Sequence, residues 1–186
     1  MEVKLSVLIA TMPSRDVQLN ELLSCLHKQG AFNIRSTVEC IYDPSMDYNI
    51  GTKRNKLLKE ARGEYITFID DDDHISDSYI SLVLDACKSG ADCIGINGII
   101  TTDGANERKW YISKEFGSWY TENGKYYRTP NHISPVKREL ALKAGFPEIS
   151  FAEDAEYSRR LLPLLKTETI ITQPIYHYDY YEHKKY

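Results

Sequence analysis

Residues 62–79 read Arg62-Gly63-Glu64-Tyr65-Ile66-Thr67-Phe68-Ile69-Asp70-Asp71-Asp72-Asp73-His74-Ile75-Ser76-Asp77-Ser78-Tyr79, an apolar run passing straight into four consecutive carboxylates. Tyr65 to Ile69 is β-branched and aromatic and is entered through Gly63, which predicts a buried strand. Ser76 and Asp77 read as caps for a helix beginning near Ser78. Asp70 to Asp73 then fall just past the carboxyl end of a central strand, where open α/β sheets bind ligands. Adjacent carboxylates repel one another unless a cation is held among them. Hard oxygen ligands suit Mg²⁺, Mn²⁺ or Ca²⁺ rather than zinc. Side chains alternate along an extended chain, so Asp70 and Asp72 are expected on one side as the metal pair, with Asp71 and Asp73 on the other. The plain alternative is a solvated acidic loop.

Upstream, Lys4 to Ala10 is a second strand-like run, and it ends in the polar turn Thr11-Met12-Pro13-Ser14-Arg15. Leu19, Leu22, Leu23 and Leu26 recur at helical spacing, and Gly30 closes that helix. Ser36 to Tyr42 predicts the next strand, with Asp43-Pro44 as its exit. Asp43 is either a ligand contact at the sheet edge or an ordinary turn aspartate. Asn49 predicts the cap of a helix running to Ala61. Lys53, Arg54 and Lys56 crowd its first turns against the helix dipole, which a ligand anion would relieve. Solvated surface cations are the other reading.

Downstream, a helix from Tyr79 to Cys87 ends at Gly90 and a strand runs from Asp92 to Ile100. Strand and helix in alternation argue a doubly wound α/β sheet. Residues 101–131 carry Trp110, Trp119, Tyr120, Tyr126 and Tyr127 among Gly and Asn, and predict a meander or flap with an aromatic surface. His132 to Pro147 reads as a helix with Pro135 in its first turn and Gly145 at its end. Phe151 onward opens another helix, with Glu153 and Asp154 at its amino end, where the dipole favours carboxylates. Thr167 to Thr172 and Ile175 to Tyr181 finish as strands around Pro174.

The 186 residues, 42% of them hydrophobic, suit one domain with a sizeable core. A net charge of −4 and a pI near 5.8 give no electrostatic footprint for nucleic acid. No apolar run approaches the ~20 residues of a membrane span, and the first residues do not read as a signal peptide. The expected location is the cytoplasm. Cys25, Cys40, Cys87 and Cys93 form no Cys-x-x-Cys pair and read as buried reduced thiols.

Taken in order, Ser6-Val7-Leu8-Ile9-Ala10-Thr11, Gly51-Thr52-Lys53-Arg54-Asn55, Gly63 through Asp73, Gly145-Phe146-Pro147-Glu148 and Glu153-Asp154 resemble the family-2 inverting glycosyltransferases of the GT-A fold. The resemblance covers most of the chain and implies a single Rossmann-like α/β/α sandwich with a mostly parallel central sheet. It implies a nucleotide-sugar half over residues 1–100 and an acceptor and base half over 101–186. Family motifs are Asp-x-Asp for a metal-bound nucleotide sugar and a later Glu-Asp whose Asp is the base. Carried over, Asp72 ligates Mn²⁺ or Mg²⁺ on the donor diphosphate, with Asp70 beside it and contacting the ribose or the sugar. Thr11, Pro13, Arg15, Asp43, Lys53, Arg54 and Asp71 face the nucleotide. Asp154 takes the acceptor proton, and Glu153 shapes its setting.

His177 is a third metal-ligand candidate, with a structural role as the alternative; His132 is either near substrate or at a helix start. Arg159 or Arg160 either reaches the diphosphate or pairs with Glu156. The implied reaction moves a sugar, with inversion, from a nucleoside diphosphate sugar, a UDP-sugar favoured, to a glycan, lipid-linked or macromolecular acceptor. Oligomeric state stays open, a homo-oligomer included. Competing readings are a haloacid-dehalogenase-like phosphatase, a nucleotidyltransferase and a catalytically silent nucleotide-sugar or glycan-binding module.

Overall fold

A computed structural model describes residues 2–32 and 37–180. In chain order its elements are β1 (Leu5–Ala10), α1 (Asp16–Lys28), β2 (Val38–Asp43), α2 (Ile50–Glu60), β3 (Tyr65–Phe68), β4 (His74–Ile75), α3 (Tyr79–Cys87), β5 (Cys93–Thr102), β6 (Ala105–Ile112), β7 (Tyr120–Glu122), β8 (Lys125–Arg128), β9 (Val136–Lys137), α4 (Arg138–Ala144), α5 (Glu153–Leu161) and β10 (Glu168–Tyr180). Ser36 and Tyr181, expected as strand ends, lie outside the described residues.

Period-two patterning explains the layers. In β1, Leu5, Val7 and Ile9 face one side of the sheet and Leu8 the other. The first side is covered by Leu19, Leu22 and Leu26 of α1 and by Tyr79, Ile80 and Val83 of α3. The second is covered by Leu57 and Leu58 of α2, Ala141 and Ala144 of α4, and Tyr157 and Leu161 of α5. The result is an α/β/α sandwich. Its sheet runs β2-β1-β3-β9-β5-β6-β8-β7, with β10 beside β5 and β4 beside β10. The ladders of β1 with β2 and β3, and of β5 with β10, are parallel. β9 lies antiparallel between β3 and β5 and ties the two halves of the chain into one sheet.

Three local expectations are corrected, and a fourth stretch, residues 101–131, takes definite form. Residues 132–137 are not the start of a helix: Phe68 N–H donates to His132 O, Ile94 N–H donates to Pro135 O, and Val136 pairs with Ile66. Backbone partners on two strands outweigh the helical preference that a proline in the first turn suggests, so α4 begins only at Arg138. The amino end of α3 takes no side-chain cap from Ser76 or Asp77; Gln29, just past α1, accepts from Ile80 N–H and donates to Ser76 O instead. β10 is one strand rather than two, since Pro174, which cannot donate to a ladder, is absorbed where the register with β5 slips. Residues 101–131 are a β extension built from β6, β7 and β8, whose Tyr120, Tyr127 and Tyr111 rings stack in sequence.

Among the described residues, no helix is long and apolar enough to cross a membrane. The four cysteines are free, but only Cys87 and Cys93 are buried; Cys25 and Cys40 are half-buried. Gly51, in the first turn of α2, has no room for a side chain: a Cβ there would stand 1.8 Å from the carbonyl oxygen of Pro147. That close approach docks α2 against the loop leading to α5.

Candidate active site

β3 ends at Phe68, and the four aspartates follow as a turn closed by Asp73 N–H donating to Asp70 O at 3.2 Å. The expected extended alternation is therefore replaced by a turn. Burial still alternates: Asp71 and Asp73 are buried, while Asp70 and Asp72 keep 29% and 19% of their side chains exposed. Asp71 is held by the Thr11 hydroxyl and by Arg15 at 2.7 Å. Asp73 accepts from the Tyr176 hydroxyl at 2.7 Å, and the same phenol oxygen accepts from Asp70 N–H. Burial, followed by the charges of Asp73 and Asp70, pushes the Tyr176 phenol well above its usual range, so it stays a donor. Asp72 lies 3.5 Å from Arg15.

Asp70 links the tract, through Arg54 and His132, to the amino end of α5. Its Oδ1 is 3.2 Å from Arg54 and its Oδ2 is 3.1 Å from His132 Nε2. Burial works against its charge, yet His132, Arg54 and Arg15 hold its carboxyl well below the usual range. Arg54 reaches on to Glu153 at 2.7 Å, and His132 Nδ1 lies 3.9 Å from Asp154 Oδ2. Glu153 and Asp154 open α5 immediately after Ala152, which adopts φ 60° in the left-handed region. That conformation costs a non-glycine residue about 1–2 kcal/mol, and strained backbone of this kind concentrates at functional sites.

Lys53 and Arg54 are buried at 5% exposure each, which removes the solvated-surface alternative for these two. Lys53 Nζ donates to Thr11 O, and burial lowers its pKa. Lys56 remains largely exposed and meets Asp43 at 3.0 Å. Thr11 N–H donates to Asp43 O, so Thr11, Asp43, Lys53, Asp71 and Arg15 form one cluster at the ends of β1 and β2, with Pro13 in the short turn of 3₁₀ helix that carries Arg15. Burial opposes ionisation of Asp43, but the Ser45 N–H and Lys56 hold its carboxyl at about 2 against an ordinary 3.8. Because the folded-state value is depressed, the stabilisation is complete above about pH 4 and is lost as pH falls through about 2. Asp43→Asn should therefore cost about 1–2 kcal/mol at neutral pH and flatten the acid limb of a urea-midpoint against pH curve. An unchanged acid limb would refute this.

His177 sits on β10 directly opposite His74, the residue after the tract, and its Nε2 is 3.2 Å from Asp179. His74 approaches the other oxygen of Asp179 at 3.4 Å. Arg159 and Arg160 both pair with Glu156 at 2.8 Å, the ordinary alternative for them. Beside the Asp70, Arg54, His132, Glu153 and Asp154 group opens a cavity of about 820 Å³. Its far wall comes from the β extension and the last strand, with Trp110, Trp119, Tyr126 and Tyr178, while Phe151, 87% exposed, stands at the lip.

Sequence reading missed the link that His132 makes between Asp70 and Asp154, and it missed Tyr176 as the holder of the tract. The sequence signal for the latter is the run of tyrosines at Tyr176, Tyr178, Tyr180 and Tyr181.

Among the described residues, no three carboxylate, imidazole or thiolate side chains converge to hold a metal by themselves. The donors do fit a cation that takes one or two carboxylates from protein and the rest from phosphate oxygens and water, as Mg²⁺ and Mn²⁺ do. Asp70 and Asp72 are the tract carboxylates that keep part of their side chains exposed, 29% and 19%.

The model of the Glycosyl transferase family 2 matches residues 31–146, which include α2, the tract and α4. In solved structures the chain is similar to S. aureus TarS 1-349 in complex with UDP-GlcNAc, with a TM-score of 0.71 and 18% identity over 97% of this chain and 60% of that one. It is similar to the same TarS segment in complex with UDP, with a TM-score of 0.70 and 18% identity over 95% and 60%. Against the longer S. aureus TarS structure the TM-score is 0.68 at 18% identity, over 95% of this chain and 36% of that one. The fold is therefore the GT-A arrangement, and the chain spans 60% or less of these TarS chains. Among curated proteins, none matches.

Proposed function

The chain belongs to glycosyl transferase family 2, and from that premise we propose that it transfers a sugar from a nucleoside diphosphate sugar to an acceptor hydroxyl with inversion at the anomeric carbon. The observation that carries this is the convergence of Asp70, Arg54, His132, Glu153 and Asp154 on one cavity, with the tract on one flank and the amino end of α5 on the other. A UDP-sugar is the favoured donor, supported by the TarS structures crystallised with UDP-GlcNAc and UDP. Thr11, Pro13, Arg15, Asp43, Lys53 and Asp71 are the residues we assign to the nucleotide side.

In this reading Asp154 accepts the proton of the attacking hydroxyl, because a hydroxyl attacks poorly unless a carboxylate within hydrogen-bond reach removes that proton. Glu153 serves as the counter-ion of Arg54 and fixes the first turn of α5. Arg15 stands at the tract, where it can neutralise charge growing on the departing diphosphate. When bound, Mn²⁺ or Mg²⁺ would be held by Asp72, with Asp70 and His177 as further candidates, and would add Lewis-acid neutralisation of the diphosphate. A single displacement needs one base and no covalent nucleophile. The phosphatase reading has no support from the family match or the fold, and the nucleotidyltransferase reading has none from the family match.

The test is the thermal midpoint against UDP-, GDP- and dTDP-sugars, with and without Mn²⁺. Ligand at a hundred times its Kd stabilises by ~2.7 kcal/mol. A rise for UDP-sugars that needs Mn²⁺ and vanishes in Asp72→Ala is expected. No rise with any donor sinks the reading, and a rise without turnover on any acceptor or on water returns it to a silent binding module.

A further inference from the structure

The far wall of the cavity carries two arginines, Arg108 of β6 and Arg128 of β8. They share one face of the β extension, because Trp110 pairs with Tyr126 and Ile112 with Arg128, and alternate residues of a strand face the same way. Arg128 is half-buried, and its Cζ lies 5.2 Å from the ring centroid of Trp119 and 5.3 Å from that of Tyr126, within reach of a cation–π contact. Its Nη1 donates to Tyr127 O at 2.9 Å and to Tyr120 O at 3.0 Å, so the guanidinium is held in place. Nε and Nη2 make no hydrogen bond among the described residues. That free edge carries the parallel N–H pair with which an arginine grips two oxygens of a phosphate or carboxylate. Arg108 stands at the other end of the Tyr126 ring and donates from Nη1 to its hydroxyl at 3.2 Å.

Among the described residues neither arginine meets a carboxylate, whereas Arg54, elsewhere on the cavity wall, is taken by Asp70 and Glu153. Burial without an acidic partner lowers the pKa of Arg128, and an anion at its free edge would reverse this. The pair lies away from the residues assigned to the nucleotide: in the sheet, β3, β1 and β2 lie on one side of β5, and β6 and β8 on the other. Thr129, next to Arg128, meets Ser158 at 2.6 Å, and Ser158 is one turn along α5 from Asp154. An anion held there enters with the acceptor and not with the diphosphate.

We propose that Arg108 and Arg128 form a subsite for an anionic group on the acceptor, so that the acceptor is a sugar bearing a phosphate or a carboxylate. This rests on the glycosyl-transfer reading above and narrows its acceptor.

The test measures UDP release, above the acceptor-free rate, on matched methyl hexosides: the neutral parent, its 6-phosphate and the corresponding uronide. The donor is UDP-GlcNAc, or whichever neutral UDP-sugar gives the larger midpoint shift. In the wild type an anionic acceptor should exceed its neutral parent in kcat/KM by about tenfold to a hundredfold, the contribution of hydrogen bonds to a charged group. Arg128→Gln and Arg108→Gln should each pull that ratio toward one and keep the donor-induced midpoint shift. Arg108 is exposed, so its variant carries the test if Arg128→Gln does not fold. A ratio near one in the wild type overturns the assignment, as does no acceleration by any anionic glycoside. Equal losses on charged and neutral acceptors in the variants make the arginines braces of the β extension and overturn it too. UDP-glucuronate is run beside UDP-glucose to place the anion: a midpoint shift that the variants lose for the uronate donor alone assigns the subsite to the donor sugar and overturns the acceptor assignment. A donor shift absent from the wild type overturns the glycosyl-transfer reading itself.

Discussion

Asp154→Asn should leave the donor-induced thermal shift intact while lowering acceptor-dependent UDP release by about 10²–10⁴, the usual contribution of a positioned general base. The substitution is nearly isosteric, and the amide oxygen can still accept from the Ala155 N–H that Asp154 Oδ1 now meets at 2.8 Å. It removes the charge that would receive the acceptor proton and little else. Asp154 has 29% of its side chain exposed and sits at the start of α5, so the fold does not depend on it as it does on the buried Glu153 beside it. The two acidic residues therefore separate experimentally: Asp154→Asn strikes turnover, and Glu153→Gln strikes stability first. Steady-state UDP release with and without acceptor, alongside the thermal shift, measures both. Turnover within tenfold of wild type in a variant that still binds donor would remove Asp154 from the role of base.

The strand that carries the tract could be read because its signal is local: a β-branched and aromatic run, an entry glycine and a sharp change to carboxylates. The same holds for α2, whose Asn49 accepts from Thr52 N–H at 2.9 Å as its sequence position predicts. What could not be read depends on partners distant in the chain. Arg54 looks like a surface cation in its own helix, and its burial follows only from Asp70 at the end of β3 and Glu153 on α5. Residues 132–137 carry a helix-start signature, but the amides of Phe68 and Ile94 draw that segment into the sheet. Within the tract, alternation assumed an extended chain, whereas the Asp73 to Asp70 hydrogen bond folds it into a turn. His132 meets Asp70 only because β9, which follows it, inserts between β3 and β5. Local patterns give the elements, and the pairing between strands decides which side chains meet.

Arg54→Met should be the most destabilising single change in the site, costing about 3–5 kcal/mol in urea unfolding, the range for breaking a buried ion pair from one side. The guanidinium is 6% exposed, bridges Glu153 at 2.7 Å and Asp70 at 3.2 Å, and packs with its Cζ 5.7 Å from the centroids of both Phe68 and Phe146. Methionine fills much of that volume between the rings but leaves Glu153, with 9% of its side chain exposed, as a buried charge without its partner. Against a total stability of about 5–15 kcal/mol for a typical domain, that loss is a large fraction. Arg54→Lys should recover only part of it, because a point charge cannot span two carboxylates as a planar fork does. The double variant Arg54→Met with Glu153→Gln supplies the physical check. If the cost comes from the stranded carboxylate, removing its charge restores stability, and the two single losses exceed the double loss by about 0.5–3 kcal/mol, as coupled neighbours do. If the losses simply add, the Arg54 cost lies in its packing between Phe68 and Phe146 and the ion pair contributes little.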